Sequence, residues 1–228
     1  MNLLAVETST EACSAALSIN GVVTERFALT PKAHTQLILP MLDELMSEAG
    51  IGLQQLDALA FSRGPGSFTG VRIATGVIQG IALGADLPVV PVSTLAAIAQ
   101  DYFVANADCG VAFTAMDARM GEIFWGVYHR NAEGFAELLG EEAVTPAADI
   151  VFPEQLGVGI GSGWGVYQTV LSGCLGHRVL AIDATPMPRA RAIAQLGANG
   201  YAQGLAVAVE LAMPVYLRDK VAKKESER

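Results

Sequence analysis

Cysteine, histidine and charge are all scarce in this chain, and each shortage removes a class of function. The three cysteines, Cys13, Cys109 and Cys174, are odd in number and far apart. They outline neither a disulfide framework nor a zinc knuckle, and they read as the reduced thiols of a cytoplasmic protein. The three histidines, His34, His129 and His177, are as scattered, and none has a second His or Cys at metal-ligand spacing. No nucleophile-elbow pattern surrounds any serine, so a triad built on Ser67 exists on paper only. Only 16% of residues are charged, and 23 acids against 14 bases leave a formal charge of −9. Polyanions are held mainly by Lys and Arg that displace counterions, so this chain is a poor sole binder of nucleic acid. A basic leader is missing as well, since the start meets an acid at Glu7, and no signal peptide is expected. The most membrane-like stretch, Ile73 to Val92, is interrupted by Gln79, Asp86, Pro88 and Pro91. It is expected to fall short of a spanning helix.

Apolar residues are plentiful, at 52% of 228, enough for one large domain or two lobes. The pattern begins with an apolar strand from Leu3 to Glu7. A hairpin follows, Ser14 to Ile19 and Val22 to Phe27, joined by Asn20-Gly21, a dipeptide suited to tight hairpin turns. Then come a helix from Thr35 to Ala49 closed by Gly50, a strand from Leu56 to Phe61, and a helix from Thr69 to Ala85. A strand from Leu87 to Val92 and a helix from Ser93 to about Val104 complete the run. This order predicts a mixed α/β sheet flanked by helices, similar to one lobe of the actin, Hsp70 and sugar-kinase superfamily. The pattern restarts after Asn106, with strands at Val111 to Met116, Glu122 to His129 and Phe135 to Leu139. A further helix runs from Arg189 to about Gln203. We therefore expect a first lobe of residues 1–106, a second of 107–218, and a frayed tail of 219–228.

Three turns are candidates for binding an anion. Gly64-Pro65-Gly66-Ser67-Phe68-Thr69-Gly70 lies between a strand and a helix, where Ser67 or Thr69 can cap free N–H groups. No Gly-Lys-Ser/Thr follows, so it is not a Walker loop. Glu7-Thr8-Ser9-Thr10 ends the first strand, at the place where actin-like proteins hold nucleotide phosphates and carry an Asp. The same hydroxyls also suit an ordinary turn. The candidate anion residues are thus Thr8, Ser9, Gly64, Gly66, Ser67 and Thr69. Gly159 to Gly165 is a third Gly-rich turn, compatible with a ligand or with tight packing.

The helices point elsewhere. Apolar residues of the first cover an arc of roughly 200° at about 100° per residue, about twice what one sheet requires. The second carries Gly76, Gly80 and Gly84 on one stripe, suited to close helix-on-helix contact. Surplus apolar surface on two neighbouring helices predicts burial against a second lobe or another chain. The candidate interface residues are Leu37, Ile38, Met41, Leu42, Leu45, Arg72, Thr75, Ile78 and Gln79.

Three segments carry a resemblance: Leu4-Ala5-Val6-Glu7-Thr8-Ser9, Gly64 through Arg72, and Pro214-Val215-Tyr216-Leu217-Arg218. Together they resemble the TsaB (YeaZ) family, across nearly the whole chain. The resemblance implies a two-lobe actin-like ATPase fold in a non-catalytic relative of TsaD, which transfers threonylcarbamoyl to adenosine 37 of tRNA. It implies pairing with TsaD through the helices of the first lobe, association with the ATPase TsaE, homodimers through the same surface, and contact with tRNA only through the complex. In TsaD a strand ending Pro-Val leads to metal-binding histidines; here Thr94 and Ile98 stand at those places, and neither suits a transition metal. ATP and metal are accordingly expected in the partner subunits. Two other functions remain as alternatives: a stand-alone actin-like ATPase or kinase, and a peptidase.

Overall fold

The computed structural model describes residues 1–151 and 154–218. It opens with an antiparallel meander, β1 (Asn2–Glu7), β2 (Ala12–Ile19) and β3 (Val22–Leu29). Asn20 and Gly21 make the turn between β2 and β3 at positive φ, as a tight right-twisted hairpin requires. The helix α1 (His34–Ala49) then crosses to β4 (Ala58–Gly64), and α2 (Phe68–Ala85) crosses to β5 (Val89–Ser93). Gly50, at φ +66°, closes α1 and donates its N–H to the Met46 and Ser47 carbonyls. Strands β1, β4 and β5 are parallel, and the sheet order is β3-β2-β1-β4-β5.

The helix α3 (Thr94–Ala105) leads into a second sheet that repeats the first. An antiparallel meander, β6 (Val111–Arg119), β7 (Glu122–Arg130) and β8 (Ala136–Pro146), is followed by the parallel strands β9 (Gly157–Ile160) and β10 (Val179–Asp183). Its order, β10-β9-β6-β7-β8, is that of the first sheet with each strand advanced by five. The two-lobe actin-like α/β fold expected from the element order is therefore present. The sequence pattern missed β9, β10 and the helix between them, α4 (Ser162–Leu175), because β9 has four residues and half of them are glycine.

Two expectations need correction. The first lobe is not confined to residues 1–106, since α5 (Ala190–Ala202) returns to it and covers the face of the first sheet opposite α1 and α2. There Ile193, Ala190 and Ala194 pack with Leu3, Ala5, Ala58, Ala60 and Val90. Small residues on both sides let helix and sheet approach closely; a Cβ on Gly197 would sit 2.6 Å from that of Ala60. Ion pairs fix the entry of α5: Arg189 donates to Glu25 at 2.6 Å, and Arg191 to Asp101 at 2.5 Å. Beyond α5, Val207 bridges the edge strand at Val89, and the last described residues form a strap along α2. The expected 107–218 lobe thus ends near β10, and the expected tail of 219–228 lies outside the described residues.

The second correction concerns α2, which Gln79 does not interrupt. It runs for 18 residues and is long and apolar enough, by composition, to cross a membrane. One stripe of it, from Gly70 and Val71 through Ala74 and Ile78 to Ala85, is buried within the first lobe, and Gln79 donates to the Ala212 carbonyl of the strap at 3.0 Å.

Replacing Gly197 by Ala should push α5 from the sheet and lower stability by about 1–3 kcal/mol, the usual loss on overpacking. A urea titration should show a lower midpoint at unchanged slope. An unchanged midpoint would mean that the return of α5 is not tightly packed.

Candidate partner-binding face and the paired turns

Two of the three candidate anion turns fill one another. The turn after β1 and the turn before α2 are pressed together, with the Ser67 N–H donating to the Ser9 carbonyl at 2.7 Å. The Thr8 hydroxyl donates to the Gly70 carbonyl, also at 2.7 Å. Any side chain at the two glycines would collide with backbone: a Cβ at Gly66 would lie 2.5 Å from the Ser9 oxygen, and one at Gly70 only 2.0 Å from that of Thr8. Thr8 and Ser9 are fully buried, and Gly64 is buried against the Val215 carbonyl of the strap. Ser67 is the N-cap of α2, its Oγ accepting from the Gly70 N–H at 3.4 Å. Of the candidate anion residues, only Ser67 and Thr69 are exposed. Beside the two turns a cavity of about 790 Å³ opens between the lobes, lined by Ser9, Gly66 and Ser67 on one side and by Asp117, Arg119 and Arg218 on the other.

Glu7 ends β1 beside this closure. Its Oε1 accepts from the Ser9 N–H at 2.5 Å and the Ser9 hydroxyl at 2.6 Å. Its Oε2 is buried, and among the described residues it meets no partner at full hydrogen-bond geometry, although the Ser62 hydroxyl lies near enough to the carboxyl to favour its charge slightly. Burial pushes this carboxyl above its ordinary value of 4.5, and the hydrogen bonds from Ser9 only partly oppose that.

The third Gly-rich turn is a packing device. Trp164, wholly buried, lies against Gly159, where a Cβ would come 2.4 Å from its ring, and donates Nε1–H to the Phe113 carbonyl at 2.7 Å. Gly161, at φ +97°, passes close over the Ala115 carbonyl.

The apolar surfaces of α1 and α2 divide in a way that periodicity could not reveal. Ile38, Leu42, Leu45 and Ile78 sit in the core cluster with Leu4, Val6, Leu59 and Phe61, and Thr75 is buried, its hydroxyl donating to the Val71 carbonyl. These five expected interface residues are therefore internal. They face the chain's own first sheet, and a partner could reach them only by displacing it. Leu37 and Met41 are half-buried beside the same cluster, alongside Ile73, Val77 and Ile81 of α2. Among the described residues, the main packing partners of both helices are first-lobe strands, each other and the strap.

What remains outside is a narrower face. Gly76, Gly80 and Gly84 point outward, and a Cβ on any of them would meet nothing within 4 Å. Leu83 and Leu39 are 75% and 55% exposed, and the strap adds Leu211, Met213 and Tyr216. A shallow hollow of about 440 Å³ lies between Gly76, Gly80 and Leu83 on one side and Val209 and Glu210 on the other. At the N-terminal end, the Arg72 guanidinium stacks 3.5 Å over the Phe68 ring and donates to the Tyr216 hydroxyl at 2.9 Å. Arg72 and Gln79 of the expected set thus border this face while holding the strap. Leu39 and Leu83 belong to the apolar arcs of the two helices but not to the expected interface set, and the strap residues carry no periodic signal because only Val209–Leu211 among them forms a helical turn.

Catalytic groups do not converge here. His34 contacts the Thr10 and Ala12 carbonyls through Nε2, and His129 faces Glu137 on the other lobe. Thr94 and Ile98 are buried, Ile98 in an apolar cluster with Leu95, Phe103 and Tyr128. That site does not fit a transition metal, because neither side chain offers the donor such an ion takes. Among the described residues, no group of three or more His, Cys, Asp or Glu could hold a metal ion.

Two lobes that repeat one strand order define an actin-like α/β protein. The family profile described as "TsaD: tRNA N6-adenosine threonylcarbamoyltransferase" matches residues 13–226. Within that type, the chain belongs to the TsaB (YeaZ) family, which takes part in threonylcarbamoyladenosine biosynthesis in tRNA. It is 41% identical to the tRNA threonylcarbamoyladenosine biosynthesis protein TsaB of Escherichia coli, covering 99% of this chain and 98% of that one. The TsaB of Haemophilus influenzae is 38% identical, over 99% and 97%. Among solved structures, YeaZ from Pseudomonas aeruginosa superposes with a TM-score of 0.87 at 41% identity, over 95% of this chain and 99% of that one. A second Pseudomonas aeruginosa structure, of an uncharacterized protein with similarity to peptidase YeaZ, gives 0.88 at 42% identity, over 95% and 99%.

The raised carboxyl of Glu7 has a measurable consequence. Its folded value exceeds its unfolded one, so its stabilising contribution is complete below 4.5 and is lost as pH rises through the raised folded value. Glu7→Gln cannot ionise, and it should therefore gain stability relative to the native chain as pH rises above that ordinary value. Urea midpoints of the two proteins across a pH series test this; parallel curves would show that Glu7 titrates as an exposed acid does.

Proposed function

We propose that this chain is a non-catalytic, cytoplasmic scaffold subunit of the machinery that makes threonylcarbamoyladenosine in tRNA. It binds the transferase TsaD through the outer face of α1 and α2 and supports its active form, with the ATPase TsaE joining the assembly. The observation that carries this reading is the open glycine stripe of α2. Three glycines one turn apart, rimmed by Leu83 and the strap, let a second helix approach backbone to backbone, and no described residue occupies that space. Met41, Leu37, Arg72 and Gln79 border the contact; Ile38, Leu42, Leu45, Thr75 and Ile78 shape it from beneath. Transferred tRNA chemistry and its ATP and metal are assigned to the partners, and tRNA meets this chain only through the complex, in keeping with its charge of −9.

A second copy of the chain can compete for the same face, giving a homodimer when TsaD is absent. The stand-alone ATPase or kinase reading is disfavoured by Glu7, which stands where actin-like proteins carry an Asp and is engaged by the Ser9 N–H and hydroxyl. A peptidase is disfavoured by Ser67, whose hydroxyl caps α2 and, among the described residues, makes no hydrogen bond to a histidine.

Gly80→Arg places a long charged side chain on the open stripe without touching the core. It should weaken co-elution with TsaD from the same organism at least about tenfold, or roughly 1.4 kcal/mol, and leave the thermal midpoint of the free chain unchanged. Undiminished binding by the folded variant would remove this face from the proposal. Reconstituted tRNA modification with and without the chain tests the scaffold role itself.

A further inference from the structure

One buried polar cluster lies away from the partner face, where the two lobes meet. Strand β8 does not pair evenly with β7: Trp125 opposes Ala143 and Val127 opposes Leu139, so Gly126 alone faces Gly140, Glu141 and Glu142. A bulge of this kind bends an edge strand and re-aims its side chains. Gly140 adopts φ +83°, open to glycine without strain. A Cβ on Gly126 would come 3.1 Å from the Tyr128 ring and 3.4 Å from Glu142 Cγ, so the bare glycine leaves the space that Glu142 uses.

The bulge turns an edge-strand acid inward. The Glu142 side chain is only 6% exposed, whereas an edge-strand acid ordinarily faces water. Its Oε1 accepts from the Tyr128 hydroxyl and from the Ser93 hydroxyl, and its Oε2 lies 3.7 Å from the Arg63 guanidinium. Burial and the neighbouring carboxylate hold the Tyr128 phenol well above its usual range, so it remains a donor. Tyr128 and Glu142 belong to the second lobe, Ser93 and Arg63 to the first. Both first-lobe groups occupy structural junctions. Ser93 caps α3, accepting from the Leu95 and Ala96 N–H groups. Arg63 precedes the Gly64 turn that starts α2, and its carbonyl accepts from the Val215 N–H of the strap at 2.8 Å.

We infer that Glu142 is an inter-lobe lock, aimed by the β8 bulge to hold the starts of α2 and α3 against the second lobe. It is a positioning residue, acting through Arg63 and Ser93. Loss of its charge leaves Arg63 without its carboxylate, and loss of the Tyr128 hydroxyl frees Glu142 to turn outward. Either change should loosen the two junctions before it loosens either sheet.

Hydrogen–deuterium exchange on the free full-length chain tests this without any partner, comparing the native protein with Glu142→Gln and Tyr128→Phe. Amides of residues 63–72 and 93–98 should exchange about tenfold faster or more, as in local opening, while those of β1 and β2 keep their native rates. Tyr128→Phe retains the buried ring and decides the question alone should Glu142→Gln not fold. Native exchange at both junctions, or an equal acceleration across the whole chain, would overturn the lock.

Discussion

The close approach of two backbones, at Thr8–Ser9 and Gly66–Gly70, is the constraint on which the rest of this molecule is built. No side chain fits at either glycine, and the carbonyls and N–H groups of the two turns satisfy each other. One consequence is local: the turn after β1 is packed directly against the start of α2. The other is geometric. The N-terminus of α2 is pinned to the end of β1, so the helix lies at a fixed height over the sheet and presents its glycine stripe in one orientation.

The repeat of one topology in two lobes makes the divergence visible within a single chain. Both sheets place three antiparallel strands before two parallel ones, and both follow the fourth strand with a helix. In the first lobe that helix is α2, with small residues facing outward. In the second it is α4, anchored by a buried tryptophan. A lobe that keeps its helix face bare can serve association; one that plugs its turn with Trp164 serves as a rigid base.

Much of this was legible from residues, for identifiable reasons. Asn20-Gly21 marked the first hairpin, Gly50 ended α1, and Ser67 marked the start of α2, since each answers to local backbone chemistry. The burial of Ile38, Leu42, Leu45 and Ile78 was not legible as distinct from exposure of Leu39 and Leu83. All six are apolar, and only the sheet beneath and the neighbouring helix decide which point inward. The domain division failed similarly. Nothing local in Ala190–Ala202 says which sheet the helix will cover; the alanines of β1, β2 and β4 that receive it lie more than a hundred residues away. The β8 bulge escaped notice because Gly140 and Gly126 signal irregularity without saying which side chain it redirects.

The return of α5 gives the chain an order of assembly. The sheet of the second lobe is contiguous in sequence and complete once β10 has been made, with Arg218 later adding its contacts to Glu122 and the Ala118 carbonyl. The first sheet, though synthesised earlier, has one bare face until α5 leaves the ribosome, followed by the segment that pairs with β5. The first lobe is thus completed by residues that follow the second lobe in sequence, and its sheet gains its second cover only after β10 has been made.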